Sequence, residues 1–209
     1  MISIIAVVLA ITAGAQAATV PSFEQSLINI RQEILLKRAQ QIKAKSQSLA
    51  QQIERMAQEA SDMYWESWRL RNRVGSLRNR AQNHAPPNPG MPETDPFLRW
   101  DIQQLAYDMR NFARRVQLGG QEVSRLKAQA VKDASLVKPA EHLQERSESL
   151  RSSCQWLKDD SFWAMLDFRN AGYYMEALDI QRESASASDY SADLKNQARA
   201  LNAKVKTGG

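Results

Sequence analysis

The 209-residue sequence has a single cysteine, Cys154, and only two histidines, His84 and His142. One cysteine excludes an intramolecular disulfide framework, so stability must come from buried apolar surface. Zinc sites, di-iron bundles and covalently attached haem each need several cysteines, histidines or carboxylates at fixed spacings that this chain lacks. We therefore predict no metal, no cofactor and no catalytic residues. Haem ligated by His142 and a distant methionine is the alternative left open.

Proline and glycine are also scarce outside one segment. Between residues 22 and 83 there is no proline and one glycine, Gly75, whereas five of the seven prolines lie between residues 84 and 96. A helix tolerates neither that density of prolines nor many glycines. The sequence therefore predicts one long helix at about residues 22–83, followed by a proline-rich loop at 84–95.

The chain begins with an apolar run from Ile2 to Ala13, broken only by Ser3 and Thr12, and the segment ends in Ala15-Gln16-Ala17. This is typical of a signal peptide at residues 1–17, cleaved before Ala18, although no basic residue precedes the run. An uncleaved anchor is the alternative. No later run approaches the roughly 20 apolar residues of a membrane-spanning helix. We expect a periplasmic or secreted protein.

The strongest pattern is a seven-residue repeat in the first predicted helix. Every seventh residue from Ile28 is large and apolar: Ile28, Leu35, Ile42, Leu49, Met56, Met63, Leu70 and Leu77. The alternate positions, four residues further on in each repeat, are mostly small. Apolar residues at alternating steps of three and four, held for this length, predict coiled-coil-like packing against neighbouring helices.

The same spacing continues in two further segments. Asp95-Pro96 predicts the start of a second helix, at about residues 96–137, because aspartate caps helices and proline suits their first position. At Lys138-Pro139 the pattern slips in phase, which favours a tight turn and a third helix at about 139–183; a kinked continuous rod is the alternative. The small polar stretch 183–189 predicts a linker, with a short helix and a frayed tail in residues 184–209.

These elements predict an all-α fold: an elongated antiparallel bundle or coiled coil of three long helices in residues 18–183, plus a short C-terminal helix. Gly119 and Gly120 fall inside the second helix without disturbing its register. We expect them to make room for a neighbour, and antiparallel folding places the indole of Trp156 there.

Two groups of residues are candidates for interaction. The first, called here the arginine cluster, could contact an anionic envelope surface or an acidic protein; it comprises Arg69, Arg71, Arg73, Arg78, Arg80 and Arg99. The second is a candidate association face on the first helix: Leu27, Ile30, Ile34 and Leu35. An ordinary solvated face is the alternative for the arginines.

These features favour an exported, non-enzymatic helical scaffold or adaptor that acts by protein–protein contacts or self-association. A periplasmic holdase-type chaperone and a cofactor-binding bundle are the alternatives. The net charge of +5 permits an acidic partner, and for an exported chain we expect no nucleic acid. Cys154 lies on the apolar repeat with no base predicted beside it, so we expect a buried, inert thiol.

Overall fold

The computed structural model describes residues 23–84 and 95–207. These residues form four α-helices packed against one another and contain no strand: α1 (Phe23–His84), α2 (Pro96–Gln129), α3 (Ala134–Asn170) and α4 (Tyr174–Thr207). The chain divides into two compact units, Met1–Lys43 and Ala44–Gly209, and α1 contributes to both. The predicted all-α fold is confirmed. The predicted signal segment 1–17, and residues 85–94 of the predicted proline-rich loop, lie outside the described residues.

Helix α2 starts as the sequence predicts. Asp95 is its N-cap, and the Asp95 carboxylate accepts a hydrogen bond from the backbone N–H of Leu98 at 3.0 Å. Proline follows at the first helical position, where a backbone N–H would have no intrahelical acceptor, so its absence costs no hydrogen bond. Helix α2 then continues through Gly119 and Gly120 to Gln129.

The turn between α2 and α3 lies at residues 130–133, so the boundary predicted at Lys138-Pro139 is wrong. Asp133 caps α3 by accepting from the backbone N–H of Ser135 at 2.8 Å. Hydrogen bonds from Ser46 and then from Ser135 lower the pKa of the Asp133 carboxyl below its ordinary 3.8. Pro139 lies within α3, near its start. Its fixed φ suits a helix, and its missing N–H costs α3 one i→i−4 hydrogen bond without ending the helix.

Helix α3 ends at Asn170, earlier than the predicted residue 183. Gly172 has φ +94°, a left-handed conformation that glycine adopts without steric cost. The N–H of Gly172 donates to the Arg169 carbonyl and the N–H of Tyr173 to the Phe168 carbonyl, which is the Schellman pattern of helix termination. The tyrosine hydroxyl also donates to the Asp95 carbonyl at 3.0 Å, which joins this turn to the start of α2.

Helix α4 has 34 residues, so the predicted linker and short C-terminal helix are wrong: the bundle has four long helices instead of three. The serine- and alanine-rich stretch 183–189 is helical, and Ser184, Ala187 and Ser188 are buried. Small side chains allow neighbouring helices to approach closely. Arg151 of α3 also donates to both the carbonyl and the hydroxyl of Ser188. Tertiary contacts therefore hold a segment that the sequence pattern alone does not mark as helical.

Side-chain contacts show which helices are neighbours. Within Ala44–Gly209, ion pairs join α1 to α2 and to α3, and other ion pairs join α4 to the same two helices. The seven-residue repeat of α1 in this unit lies in the core. Each of its members is at most 7% exposed: Leu49, Met56, Met63, Leu70 and Leu77.

The glycine pair of α2 makes room for α4 and not for Trp156. A Cβ atom on Gly119 would lie 3.1 Å from Leu194 Cδ1, and one on Gly120 would lie 3.7 Å from the backbone N and Cα of Leu194. Trp156 is instead half exposed. The expected role as a close-approach point therefore holds, but the predicted neighbour is wrong because the long α4 was not foreseen.

Candidate interaction surfaces

The arginine cluster lies mostly on two rows of α1 that flank its core repeat. Arg73 and Arg80 come three residues after Leu70 and Leu77, on the side that faces α2. Arg71 and Arg78 come one residue after the same leucines, on the side that faces α3. Flanking positions of this kind form interhelical ion pairs in coiled coils.

Helix α2 supplies the acids for the first row. Arg73 bonds to Asp108 at 2.5 Å, and Arg80 bonds to Asp101 at 2.5 Å and to Asp95 at 3.0 Å. The hydrogen bonds that Arg80 donates to Asp101 and Asp95 raise the pKa of Arg80 above its ordinary value. The partners are seven residues apart on both helices, and the positions ascend on one helix as they descend on the other. The two helices therefore run in opposite directions.

Helix α3 supplies the acids for the second row, again at seven-residue spacing. Arg71 bonds to Asp160 and Arg78 to Asp167, each at 2.5 Å. The guanidinium of Arg71 also lies 5.5 Å from the ring centroid of Trp156, within cation–π range.

The structure thus brings the arginine cluster together with acids that come from other helices. Arg99 lies 3.8 Å from Glu176 and over the Tyr173 ring. Arg69 is exposed and forms no ion pair with the described residues. Sequence reasoning missed the pairing because the arginine-rich segment itself contains no acid. Compensated guanidinium groups attract an anionic surface less strongly than the sequence alone suggests.

The candidate association face lies in the first unit, on a stretch of α1 that we call the arm, residues 26–43. Every side chain from Leu27 to Lys43 is exposed. Seven large aliphatic residues are 45–63% exposed: Leu27, Ile28, Ile30, Ile34, Leu35, Leu36 and Ile42. In proteins generally, exposed aliphatic groups at this density are characteristic of interaction sites.

A second surface was not foreseen. All five tryptophans of the chain are exposed by 46–62%. Four of them lie on helices α1 and α3: Trp65, Trp68, Trp156 and Trp163. Trp65 and Trp68 are in edge-to-face contact, with ring centroids 6.4 Å apart. Tryptophan and arginine are the residues most enriched at binding hot spots. In the sequence, no tryptophan occupies a position of the apolar repeat, and this was the available sign that the tryptophans are exposed.

A cleft of about 690 Å³ opens between α1 and α2 beside Gly119. Its walls include Met56, Met63 and Glu59 of α1 and Glu122 of α2. By the seven-residue register of the two helices, these glutamates occupy the next pairing position after the Glu66–Arg115 bridge. Like charges cannot pair there, and Glu122 bonds instead to Arg125 on its own helix at 3.2 Å. The cleft therefore lies where the row of interhelical ion pairs is interrupted.

Cys154 and His142 were the two residues considered from the sequence for nucleophilic or ligand chemistry. Cys154 is fully buried, and desolvation raises the pKa of its thiol to about 12 although a hydrogen bond from Ser191 opposes the shift. The thiol therefore stays protonated at neutral pH, as expected for an inert core residue. Both ring nitrogens of His142 are hydrogen-bonded, one to Glu54 at 2.7 Å and the other to Arg146 at 3.2 Å.

In the part of the chain that the structure describes, no histidine, cysteine, aspartate or glutamate side chains are grouped so as to hold a metal ion. None of the helices in residues 23–84 and 95–207 combines the length and hydrophobicity needed to cross a bilayer. No protein-family model, no curated protein and no solved structure matches this chain. Any function must therefore be argued from the surfaces themselves.

Proposed function

We propose that this protein is an exported, non-enzymatic scaffold or adaptor that acts by binding other proteins, and that its arm is the principal binding element. The observation that carries this proposal is the row of seven exposed aliphatic side chains in residues 26–43. Such a surface is costly to leave in water, and a specific partner would remove it from solvent.

The architecture we propose for this role is an elongated, antiparallel, coiled-coil-like bundle. Support comes from ion pairs that repeat every seven residues between α1 and each of α2 and α3. A bundle of this kind would be a rigid body suited to holding a partner at a fixed place. Small-angle X-ray scattering tests the shape, since a compact sphere would contradict it.

Export is proposed from the amino-terminal sequence alone. Recovery of the protein from the periplasm or the medium, with an amino terminus at Ala18, is the expected result. A full-length chain in the cytoplasm would contradict it.

The binding role of the arm can be tested by affinity capture from the native host with cross-linking. We expect that Ile28→Asp combined with Leu35→Asp abolishes capture of the partner, because a carboxylate at these positions disfavours burial. Val131→Asp is the matched control, since this exposed aliphatic residue lies in the turn between α2 and α3. If the arm variant captures the same partners as the wild type, the proposal fails.

The exposed tryptophans favour a second candidate, a periplasmic holdase-type chaperone, because aromatic surface also suits the binding of unfolded chains. The two functions differ in their clients. Suppression of aggregation of several unrelated unfolded proteins, lost on replacing Trp65 and Trp163 by serine, would favour the chaperone. Capture of one specific partner through the arm would favour the scaffold.

A further inference from the structure

The arm carries a basic row inside its aliphatic surface. On a helix, each residue neighbours those three and four positions away. Arg31 therefore lies among Leu27, Ile28, Ile34 and Leu35, all of which are exposed. One heptad later Arg38 lies among Ile34, Leu35, Gln41 and Ile42. Two guanidinium groups thus project from the middle of the apolar surface, seven residues apart.

The same rows continue along α1 in the second unit, where the structure shows which helix packs against them. Arg31 and Arg38 come three residues after Ile28 and Leu35, just as Arg73 and Arg80 come three residues after Leu70 and Leu77. In the second unit, that row bonds to Asp108 and Asp101 of α2, which are themselves seven residues apart. The core row beside it is buried under the neighbouring helices.

We propose that the arm binds an amphipathic helix of a partner protein, one that presents carboxylates at seven-residue intervals between aliphatic positions, in the manner of α2 beside Arg73 and Arg80. This inference rests on the proposed function and specifies the chemical class of the partner. Carboxylates opposite Arg31 and Arg38 match their charge, and aliphatic residues beside them cover the exposed leucines and isoleucines.

Two other occupants match the arm less well. The described part of the arm has four basic residues (Arg31, Lys37, Arg38 and Lys43) against one acid, Glu33, so two arms side by side would repel each other. A lipid surface would have to take guanidinium groups from the centre of the apolar face into hydrocarbon, which is costly. An acidic amphipathic helix, by contrast, would both cover the aliphatic groups and neutralise the two arginines.

The test uses the purified full chain and two synthetic helical peptides. One peptide has leucine at alternating steps of three and four and glutamate at every seventh position beside them; the other has lysine in place of each glutamate. Fluorescence anisotropy measures the affinity of each peptide. We expect the glutamate peptide to bind about tenfold more tightly than the lysine peptide, a difference of about 1.4 kcal/mol.

Charge reversal at the arm sharpens this test. We expect Arg31→Glu with Arg38→Glu to weaken the glutamate peptide by about tenfold and to reverse the preference between the peptides. The matched control is Lys37→Glu with Arg69→Glu, which changes the net charge equally but at exposed positions away from the two rows that flank the core repeat. Lys37 pairs with Glu33 at 2.7 Å instead of facing the aliphatic surface. We expect the control to retain the wild-type preference for the glutamate peptide.

Equal binding of the two peptides, or equal effects of the two double variants, would overturn the inference. So would a dimer in light scattering that Leu35→Asp dissociates, or binding to vesicles of phosphatidylcholine and phosphatidylglycerol with no binding of either peptide. If the peptides do not discriminate while Ile28→Asp with Leu35→Asp still abolishes partner capture, the inference fails and the proposed function stands. If the arm variant leaves capture unchanged, the proposed function itself fails.

Discussion

The two parts of α1 carry one repeat and show opposite burial. Ile28, Leu35 and Ile42 of the arm are 47%, 63% and 61% exposed, whereas the next five members of the repeat are each at most 7% exposed. The side chains are alike in size and hydrophobicity. The difference is that α2 and α3 lie beside the second part of α1. A seven-residue repeat therefore encodes the capacity of a helix to pack, and burial requires another helix within reach.

The largest expected effect compares one leucine from each part. Leu70→Ala should lower the free energy of unfolding by about 2–5 kcal/mol, because it removes buried methyl groups and leaves a cavity. Leu35→Ala should change it by less than about 0.5 kcal/mol, because the side chain is exposed in the isolated protein. Urea unfolding followed by circular dichroism measures both. Similar losses for the two variants would show that the arm is packed in solution.

The next comparison uses two helical glycines. Gly120→Leu should cost about 1–3 kcal/mol, because the new side chain meets the backbone of Leu194 on α4. Gly75→Ala should instead stabilise the protein by about 1 kcal/mol, because nothing lies within 4 Å of the added Cβ and alanine favours helix. Thermal unfolding monitored at 222 nm, a standard helix signal, distinguishes the two. A neutral Gly120→Leu variant would contradict the close approach of α2 and α4.

A smaller effect is expected at Asp133, whose carboxylate accepts a hydrogen bond from Ser46, a buried residue of α1. Asp133→Ala should cost about 0.5–2 kcal/mol at neutral pH through loss of the α3 cap. The pKa of the folded-state carboxyl lies below its ordinary 3.8, so the contribution is present above that value and is lost as the pH falls through the lowered pKa.

The measurement is urea unfolding of Asp133→Ala at pH 7 and at a series of lower pH values, over which the carboxyl becomes protonated and its contribution declines. The destabilisation should shrink as the pH falls. Asp133→Asn is the control, because asparagine also caps helices but does not titrate. A loss in Asp133→Ala that does not depend on pH would mean that the charged form of Asp133 is not what stabilises the turn.

The smallest expected effect concerns the arginines on equivalent rows. Arg73→Ala should cost about 0.2–1 kcal/mol, the usual range for a partly exposed ion pair. Arg38→Ala should have no measurable effect on unfolding, although it should weaken binding of the acidic helical peptide proposed above. Measuring unfolding and peptide binding on the same two variants would show whether Arg73 stabilises the fold and Arg38 contributes to binding. An effect of Arg38→Ala on unfolding would place that arginine in an intramolecular contact.

Local signals accounted for much of the fold. The repeat of α1 predicted which residues form the core from Leu49 to Leu77, and Asp95-Pro96 predicted the start of α2. The boundary at Pro139 was wrong because a single proline removes one backbone hydrogen bond and does not have to end a helix. The actual turn is capped by Asp133 and has no glycine or proline to mark it. The turn at Gly172 was visible in principle as a glycine directly after Asn170-Ala171.

The amino-acid sequence by itself determined that this protein is all helical and which face of each long helix is apolar. These properties depend on residue spacing and propensity, which act over a few turns of one chain segment. Only the tertiary structure decided that residues 183–189 are helical, that Asp160 and Asp167 neutralise arginines about ninety positions earlier, and that the arm is exposed. Each of these depends on which helices become neighbours, and that is set by packing between segments far apart in the chain.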